Sequence, residues 1–493
     1  MHLFDLKITT PPPTIRWAIF ALIALLALAV RLPQLGERPM HTDESINAWL
    51  IGQCLAGEKF HYDPQDRHGP ALAEIALPIA RLQGAKNFTD LTESQLRLTP
   101  VIIGATTILL FGAAVEMLGF IPCLVAALLF AFAPLPVYFS RYFIHETLFV
   151  AATLGLILSG WRAFKTSSIR SGVLAGFCAA FMLACKETAA IHFFALSLIL
   201  ILGWRLNPQK KLPPAAVWLT AAGSFLVASV LLFTWFGQNP SALTDLMRAG
   251  PHLAARAGGQ GHEKSFWYYA ALLAKGWSGV LLVAITIGGL AVASRRGLPH
   301  RLLAIYALVT FAIYSAIPYK TPWLALNFWL PCALLAGFTV EWIWSVAPKA
   351  SARGAILMLG IFLAVLVARD TRQWVFKNPA GEKNPYAYAH TSEDVLDLPP
   401  RIEAVSRQQN LVQPRIAVVT ADAWPLPWYL RKFPRVGYWQ PGQETGDADF
   451  YVTTTDVSGA LAQRLEKFRP EFFGVRPNVL LILWTPLATG PKP

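Results

Sequence analysis

Charged residues are scarce in this 493-residue chain, where Asp, Glu, Lys and Arg together make up 14%. Soluble globular domains contain about 25%. Hydrophobic residues make up 55%, and they occur in runs long enough to cross a bilayer. This balance excludes an ordinary soluble protein. It predicts a polytopic α-helical membrane protein.

Cysteine is also rare. The five cysteines include no Cys-x-x-Cys pair and no zinc-type spacing, so neither a disulfide framework nor a metal cluster is predicted. No Gly-x-Gly-x-x-Gly motif follows a predicted strand, which leaves dinucleotide binding without support. The lack of an internal repeat weakly disfavours the repeat-built secondary transporters.

The formal net charge of +13 raises the possibility of nucleic-acid binding. No stripe of Lys and Arg lies on a predicted soluble face, however, and the basic residues fall mainly in short loops between apolar runs. That distribution is typical of membrane topology, with some attraction to anionic lipid. No nucleic-acid partner is predicted.

Windows of about twenty residues predict about eleven transmembrane helices. A single span over 171–204 would place Arg205, Lys210 and Lys211 outside and reverse the positive-inside bias downstream. Two spans are therefore predicted there, and the orientation is N-terminus in, C-terminus out, with Lys7 inside. The run from Trp17 to Val30 lacks a cleavage site and is predicted to be a retained signal anchor. The predicted spans cover residues 15–33, 97–117, 120–139, 147–164, 171–186, 188–204, 214–236, 268–293, 301–318, 323–345 and 353–369.

Two domains are predicted. Residues 1–370 form the transmembrane domain, with large outer loops at 34–96 and 237–267. Residues 371–493 change to alternating helical and extended patterns, which favour a small extracytoplasmic α/β domain with a parallel or mixed sheet. Its predicted helices cover 395–409, 424–432 and 460–468, and its predicted strands cover 415–420, 449–454 and 479–484.

An acidic pair, Asp43-Glu44, follows the first predicted span. It opens a predicted amphipathic helix that runs to Gly57 along the membrane interface. One interpretation is structural: Thr42 or Asp43 caps this helix, because a side-chain oxygen there accepts the orphan amide hydrogens. The other is that the carboxylates carry out chemistry at the outer surface.

Further polar clusters fall at the outer ends of other spans under this topology. Each has a structural alternative: a turn for Arg67-His68-Gly69-Pro70, interfacial snorkelling for Arg141, a self-neutralising ion pair for Lys186-Glu187, and an interfacial aromatic belt for the cluster that contains Tyr319 and Trp323. Arg141 and His145 are four residues apart and therefore share a helical face. The clusters are Asp43-Glu44, Arg67-His68-Gly69-Pro70, Ser140 to Glu146, Lys186-Glu187 and Pro318 to Trp323, which includes Tyr319 and Lys320.

Outward carboxylates, cations and a membrane-embedded cavity suit transfer of a sugar from a lipid-phosphate donor. Arg or Lys would hold the phosphate and stabilise its departure. A carboxylate would take the proton of the attacking acceptor hydroxyl. The oxocarbenium character of the transition state also favours a negative wall near the sugar.

The motifs resemble the glycosyltransferase C superfamily, in the branch of protein O-mannosyltransferases and aminoarabinose transferases (glycosyltransferase family 39 type). Within it they are similar to a group labelled flippase-activity-associated. The resemblance covers essentially the whole chain. It rests on His41-Thr42-Asp43-Glu44, His68-Gly69-Pro70, Ser140-Arg141-Tyr142-Phe143, Lys186-Glu187-Thr188 and Tyr319-Lys320-Thr321-Pro322-Trp323-Leu324.

The resemblance implies roles for particular residues. Asp43 matches the acidic position that acts as base beside the acceptor, with Glu44 as its neighbour. His68-Gly69-Pro70 stands where relatives carry a Lys-Pro-Pro-like turn facing the phosphate, so Arg67 or His68 would supply the charge. Glu146 matches a second acid that would orient the acceptor or help to hold a metal. A divalent cation is therefore possible as a cofactor, with its ligands unassigned.

The predicted function is an inverting membrane glycosyltransferase that uses a polyprenyl-phosphate sugar and a lipid, glycan or protein acceptor. The predicted setting is the cytoplasmic membrane of a bacterium or archaeon, with the site facing the exterior. One alternative is a lipid-linked sugar flippase or flippase-associated protein. Another is a catalytically idle assembly or binding protein whose Trp424–Tyr429 segment docks a glycan or a partner. The candidate catalytic residues are Asp43, Glu44 and Glu146, and the candidate binding residues are His41, Arg67, His68, Arg141, His145, Lys186, Glu187, Tyr319, Lys320 and Trp323.

Overall fold

The computed structural model describes residues 10–65, 67–206, 212–259, 261–347 and 349–487. Lys7, Lys210 and Lys211, which enter the orientation prediction, lie outside the described residues. The chain forms two compact units. The first comprises Met1–Pro33, Lys59–Pro78 and Arg97–Lys377, and the second comprises Gln34–Glu58, Ile79–Leu96 and Asn378–Pro493.

The apolar runs form α-helices, because a helix satisfies its own backbone polar groups where lipid offers no partners. Within the described residues up to 371 the helices are α1 Pro13–Arg31, α2 Thr42–Leu55, α3 Ala71–Leu82, α4 Glu93–Leu118, α5 Phe120–Phe132, α6 Pro134–Phe139, α7 Glu146–Thr166, α8 Ile169–Cys185, α9 Ala189–Leu206, α10 Ala215–Phe233, α11 Ala242–Ala257, α12 Tyr268–Leu273, α13 Gly276–Ser294, α14 Leu298–Ala316, α15 Leu326–Val346 and α16 Ala350–Thr371.

Nine helices within the described part of the chain are long and apolar enough to cross a membrane. Each of them lies at a predicted span. The two other predicted spans, 120–139 and 171–186, coincide with the shorter apolar helices α5 and α8, of 13 and 17 residues. The helices therefore fit a polytopic membrane protein, and the count of eleven stays a prediction.

Two of the predicted spans are not the continuous helices that the sequence predicts, but are each divided into two helices. The predicted span 120–139 breaks after Phe132, because Pro134 begins a new helix and disfavours a helical residue before it. The predicted span 268–293 breaks between α12 and α13, where Gly276 has a φ of +72°, a backbone conformation that favours glycine.

The second unit contains a five-stranded mixed sheet in the order β2-β1-β3-β5-β4. β1 pairs in parallel with β2 and β3, while β5 runs antiparallel to β3 and β4. The mixed sheet agrees with the prediction. The elements are α17 Leu398–Gln408, β1 Ile416–Val419, α18 Leu426–Tyr429, β2 Val436–Trp439, β3 Phe450–Thr454, α19 Thr455–Ser458, α20 Ala462–Leu465, β4 Phe468–Arg476 and β5 Val479–Pro486.

Two of the three interior strands, β1 and β3, bury alternating residues on both faces of the sheet. Ile416 and Phe450 join the larger core together with Leu398 of α17, whereas Ala417 and Tyr451 pack on the opposite side. Burial on both faces explains why the sequence shows these strands as continuous apolar runs.

Strands β2 and β4 were not predicted, and both lie at the edges of the sheet. Most of their residues are half-buried or exposed, so they show no apolar run. The predicted helix 460–468 is shorter than expected, because α20 ends at Leu465 and β4 begins at Phe468.

The aromatic turn of the C-terminal segment packs into its own unit. Trp428 is fully buried, its indole N–H donates to Glu93 Oε1 over 2.7 Å, and the Arg431 guanidinium lies 3.6 Å from its ring centroid. The interpretation of this segment as a glycan-docking surface is therefore wrong for Trp428.

Candidate functional site

The acidic pair begins helix α2, and its two carboxylates have different surroundings. Glu44 is fully buried. Its Oε2 accepts the backbone N–H of His41 over 3.1 Å, and its Oε1 lies 3.4 Å from a guanidinium nitrogen of Arg38. Asp43 keeps 46% of its side chain exposed. Of the pair, Asp43 thus offers the carboxylate that a substrate could reach.

The cap of α2 is His41, which corrects the interpretation that Thr42 or Asp43 caps it. The His41 Nδ1 accepts the backbone N–H of Asp43 over 3.1 Å, and Glu44 completes the reciprocal capping box. His41 is buried, and this burial lowers its pKa despite the nearby carboxylates of Asp43 and Glu44. A neutral imidazole can accept the amide hydrogen.

Residues far along the chain hold the segment before α2. Tyr429 accepts the backbone N–H of Met40 over 2.7 Å, and the Thr391 hydroxyl donates to the Met40 carbonyl over 2.6 Å. The His41 Nε2 lies 3.1 Å from the Tyr388 carbonyl. These contacts fix the position of the acidic pair within the second unit. The sequence gives no local signal for them, because the partners are more than 340 residues apart.

In the first unit, Glu146 and Lys186 form a buried ion pair, with Lys186 Nζ 2.5 Å from Glu146 Oε1. Glu146 begins α7, where a carboxylate suits the positive end of the helix dipole. Lys186 follows the last residue of α8. The alternative that Lys186 pairs with its neighbour Glu187 is wrong, because its partner is Glu146.

Glu187 instead joins a second polar cluster. His68 Nδ1 lies 3.0 Å from Glu187 Oε2, and the Tyr62 hydroxyl donates to Glu187 Oε1 over 2.8 Å. Burial acts to raise the pKa of Glu187, but the charge and hydrogen bond of His68, with the Tyr62 bond, outweigh it and lower the pKa to about 2. Glu187 is therefore a carboxylate throughout the physiological range.

His145 links this cluster to the turn before α3. Its Nε2 lies 3.2 Å from the Gly69 carbonyl, and its ring meets that of His68 edge-on at 5.4 Å. Burial lowers the pKa of His145 well below its usual value, and His68 and Lys186 lower it further. Gly69 packs so closely on the Ala184 carbonyl that a Cβ there would overlap it. Arg67 is half-buried beside this turn, and its backbone N–H donates to the Asp63 carbonyl over 2.8 Å.

Arg141 and Lys320 are predicted phosphate ligands whose donors contact backbone carbonyls. Arg141 Nη1 donates to the carbonyls of Arg31 and Pro33 over 2.7 and 2.6 Å, and its guanidinium lies 4.7 Å from the Phe376 ring centroid. Lys320 Nζ donates to the Ile317 and Lys264 carbonyls over 2.5 and 3.2 Å.

The two predicted aromatic residues contact other rings. Trp323 stacks on Tyr142, with ring centroids 6.2 Å apart. Tyr319 contacts His262 at 4.8 Å and forms a β-bridge with Glu263. The predicted outer loop 237–267 is thus attached to the turn that carries Tyr319 and Lys320.

Glu74 is a candidate that the sequence analysis missed. It lies on α3, one turn after Pro70, and neither carboxyl oxygen has a hydrogen-bond partner in the structure. Burial raises its pKa to about 8. The sequence does show a Glu within a largely apolar helical segment, which is a signal for this candidate. It does not show that the surroundings of the carboxyl group in the fold are apolar.

No three His, Cys, Asp or Glu side chains group as a metal site in the part of the chain that the structure describes. The divalent cation therefore stays a prediction from the resemblance.

Comparison with known proteins gives a family match over part of the chain. Residues 83–233 match the family model of the dolichyl-phosphate-mannose-protein mannosyltransferases. No curated protein matches the chain in sequence.

Several solved structures share the fold over nearly the whole chain. ArnT from Cupriavidus metallidurans, bound to undecaprenyl phosphate, superposes with a TM-score of 0.67 at 16% identity, covering 96% of this chain and 99% of that one. The Archaeoglobus fulgidus oligosaccharyltransferase in its apo form gives a TM-score of 0.61 at 13% identity, covering 96% and 76%. The arabinofuranosyltransferase AftD from Mycobacteria gives 0.51 at 13%, covering 98% and 40%.

The chain therefore shares its fold with these structures, and residues 83–233 match the mannosyltransferase family model.

Proposed function

We propose that this protein transfers a sugar from a polyprenyl-phosphate donor to an acceptor hydroxyl by inverting displacement, with Asp43 as general base. The observation that carries this proposal is the contrast within the acidic pair. Glu44 is buried in the capping box, whereas Asp43, held at the start of α2, remains accessible. Similarity to ArnT bound to undecaprenyl phosphate and to an archaeal oligosaccharyltransferase in complex with a dolichol-phosphate supports the class of donor.

In the proposed reaction, Asp43 accepts the proton of the acceptor hydroxyl as its oxygen attacks the anomeric carbon. The bond between that carbon and the phosphate oxygen breaks, and its electron pair leaves with the lipid phosphate. Configuration inverts because attack and departure take place on opposite faces of the sugar. Charges that develop in such a transition state are stabilised best by groups that need not reorganise at the moment of reaction.

Lys186 is the cation that we propose for the departing phosphate. Glu146 holds its ammonium group in place, and an ammonium has three donors, so one contact with Glu146 leaves others for a phosphate. Arg141 and Lys320, whose donors contact backbone carbonyls, would contribute positive potential in the first unit. His68 and Glu187 would line the polar cluster of that unit. Glu44 would hold Asp43 rather than react.

We further propose an orientation with the N-terminus inside, eleven spans and the polar clusters on the outer side of a bacterial or archaeal cytoplasmic membrane. The basic loops support it. Arg162 and Lys165 lie near the end of α7, Arg205 lies in the last turn of α9, and Arg295 and Arg296 follow α13, which agrees with the positive-inside rule.

The test is Asp43→Asn in the full-length protein. Native membranes supply the acceptor, synthetic undecaprenyl-phosphate sugars serve as labelled donors, and release of undecaprenyl phosphate is measured. We expect a loss of about 10²–10⁴-fold in rate with unchanged thermal unfolding in detergent. The matched control is Asp394→Asn, another acid in a first helical turn of the second unit, which should keep full rate.

Full transfer by Asp43→Asn would refute Asp43 as the base. Movement of the labelled lipid across proteoliposomes without release of undecaprenyl phosphate from any donor would refute transfer itself and favour the flippase alternative.

A further inference from the structure

An apolar cavity of about 680 Å³ lies among α7, α8, α9, α10 and α14. Its size is within the range of about 300–1,000 Å³ that ligand pockets occupy. The lining is apolar apart from Lys165, Ser197, Tyr306 and the indole N–H groups of Trp161 and Trp218. Nothing in the proposed transfer reaction uses this cavity.

The cavity lies toward the end of these helices that is opposite to the Glu146–Lys186 pair. On α7 its lining runs from Leu156 to Lys165, whereas Glu146 is the first residue of that helix. On α8 the lining stops at Ala179, before Lys186. The cavity is therefore a separate feature of the first unit.

Helix packing explains why the cavity exists. Gly172 and Gly176 bring α8 against the backbone of α10, where a Cβ at Gly172 would lie 2.7 Å from the Val217 carbonyl oxygen. Helix α9 is held instead by α14, because His192 hydrogen-bonds to the hydroxyls of Tyr306 and Tyr314 over 2.7 and 3.1 Å. The space between the two helix pairs remains open.

The surroundings indicate what fills it. An apolar cavity stays dry and takes an apolar ligand, and acyl chains are the apolar groups that a bilayer supplies. Lys165 lies at one end, with Nζ 4.8 Å from the Trp161 ring centroid, and Trp218 lines the same cavity. Trp and Lys in this combination mark the level of lipid headgroups.

Positive charge also surrounds this end of the helices. Arg205 ends α9 two residues after Gly203 of the lining, and Arg301 precedes Leu302 of the lining. Both side chains are exposed. No Asp or Glu belongs to the lining described for this cavity. The charge therefore complements an anionic headgroup.

We propose that this cavity binds an anionic glycerophospholipid, with an acyl chain between α9 and the α8–α10 pair and its phosphate at Lys165. The acyl chain supplies apolar contact, and Lys165 supplies selectivity for the headgroup. The proposal is independent of Asp43 and of the transfer reaction.

The test titrates the full-length protein in detergent with phosphatidylglycerol or with phosphatidylcholine of the same acyl chains, and follows thermal unfolding. We expect saturable stabilisation, with phosphatidylglycerol half-saturating at a concentration about fivefold lower, as one lysine near an anionic headgroup implies. Lys165→Gln should remove that difference while the stabilisation by either lipid remains. Lys349→Gln, at an exposed lysine before α16, is the matched control and should retain the difference.

A second variant fills the cavity. Gly160 lines it, and a Cβ at this position would meet no atom within 4 Å, so Gly160→Phe can enter the open space without a backbone clash. It should abolish saturable stabilisation by both lipids. Gly360→Phe, on α16 and equally open, should leave it intact.

Three results would overturn the proposal. They are equal half-saturation by the two lipids in the unaltered protein, saturable binding that survives Gly160→Phe, and displacement of phosphatidylglycerol by equimolar undecaprenyl phosphate. The last result would assign the cavity to the donor lipid instead.

Discussion

Lys186 and Glu146 are forty positions apart in sequence, yet their charged groups are 2.5 Å apart and buried. Taking two charges out of water is costly, and the cost is repaid only while both partners are present. The pair also joins the end of α8 to the start of α7. It therefore has a structural contribution that can be measured separately from any part in transfer.

Glu146→Gln should destabilise the protein by about 3–5 kcal/mol, because it leaves the Lys186 ammonium buried without its counter-charge. The double variant Glu146→Leu with Lys186→Leu should recover much of that loss. Unfolding in detergent measures both. As a control, Arg401→Gln breaks the half-exposed pair with Glu471 and should cost no more than about 1 kcal/mol. A double variant less stable than Glu146→Gln would contradict this account.

The Glu187 cluster predicts a stability contribution with a defined pH window. The pKa of Glu187 is about 2 in the fold and 4.5 as its ordinary value, so the folded state favours the carboxylate more than the unfolded state does. The contribution is present above pH 4.5 and is lost as pH falls toward 2.

Glu187→Gln should therefore be less stable than the unaltered protein at pH 6, by about 1–3 kcal/mol, and the difference should shrink between pH 4.5 and 2. Tyr62→Phe, which removes one hydroxyl donor to Glu187, should give a smaller loss in the same window. Thermal unfolding across pH is the measurement. Glu393→Gln, at an exposed position, is the control. A difference that is constant from pH 6 to pH 2 would show that the hydrogen bonds, not the charge, stabilise the cluster.

The membrane helices could be predicted from sequence because lipid imposes one requirement, a continuous apolar run, at every position of a span. The buried strands β1 and β3 were recognisable for a similar reason. The edge strands β2 and β4 were not, because their stability comes from pairing with a neighbour rather than from their own pattern.

The candidate site could likewise be predicted from sequence only in part. Local motifs identify Asp43, Glu146 and Lys186 as unusual, since charged residues beside apolar helices are costly. They do not give the partners. Glu146 pairs with Lys186 rather than Lys186 with Glu187, and the residues that hold Met40 come from the opposite end of the chain. Such contacts depend on tertiary packing, which a single sequence does not display.

The buried carboxyl of Glu74 predicts that stability changes with pH in the direction opposite to that expected for Glu187. Burial raises the pKa of its carboxyl from 4.5 to about 8, so the folded state holds a proton that the unfolded state releases. Stability should therefore fall as pH rises from about 4.5 to about 8, and change no further above that. Glu74→Gln replaces the carboxyl by an uncharged amide of similar shape. It should equal the unaltered protein below pH 4.5 and exceed its stability at pH 8, by on the order of 1 kcal/mol or more.

Thermal unfolding of both proteins from pH 4 to 9 tests this, with Glu403→Gln, at an exposed position on α17, as the control that should not alter the slope. A Glu74→Gln variant that is less stable at pH 8 would mean that the ionised carboxylate is stabilised where it lies.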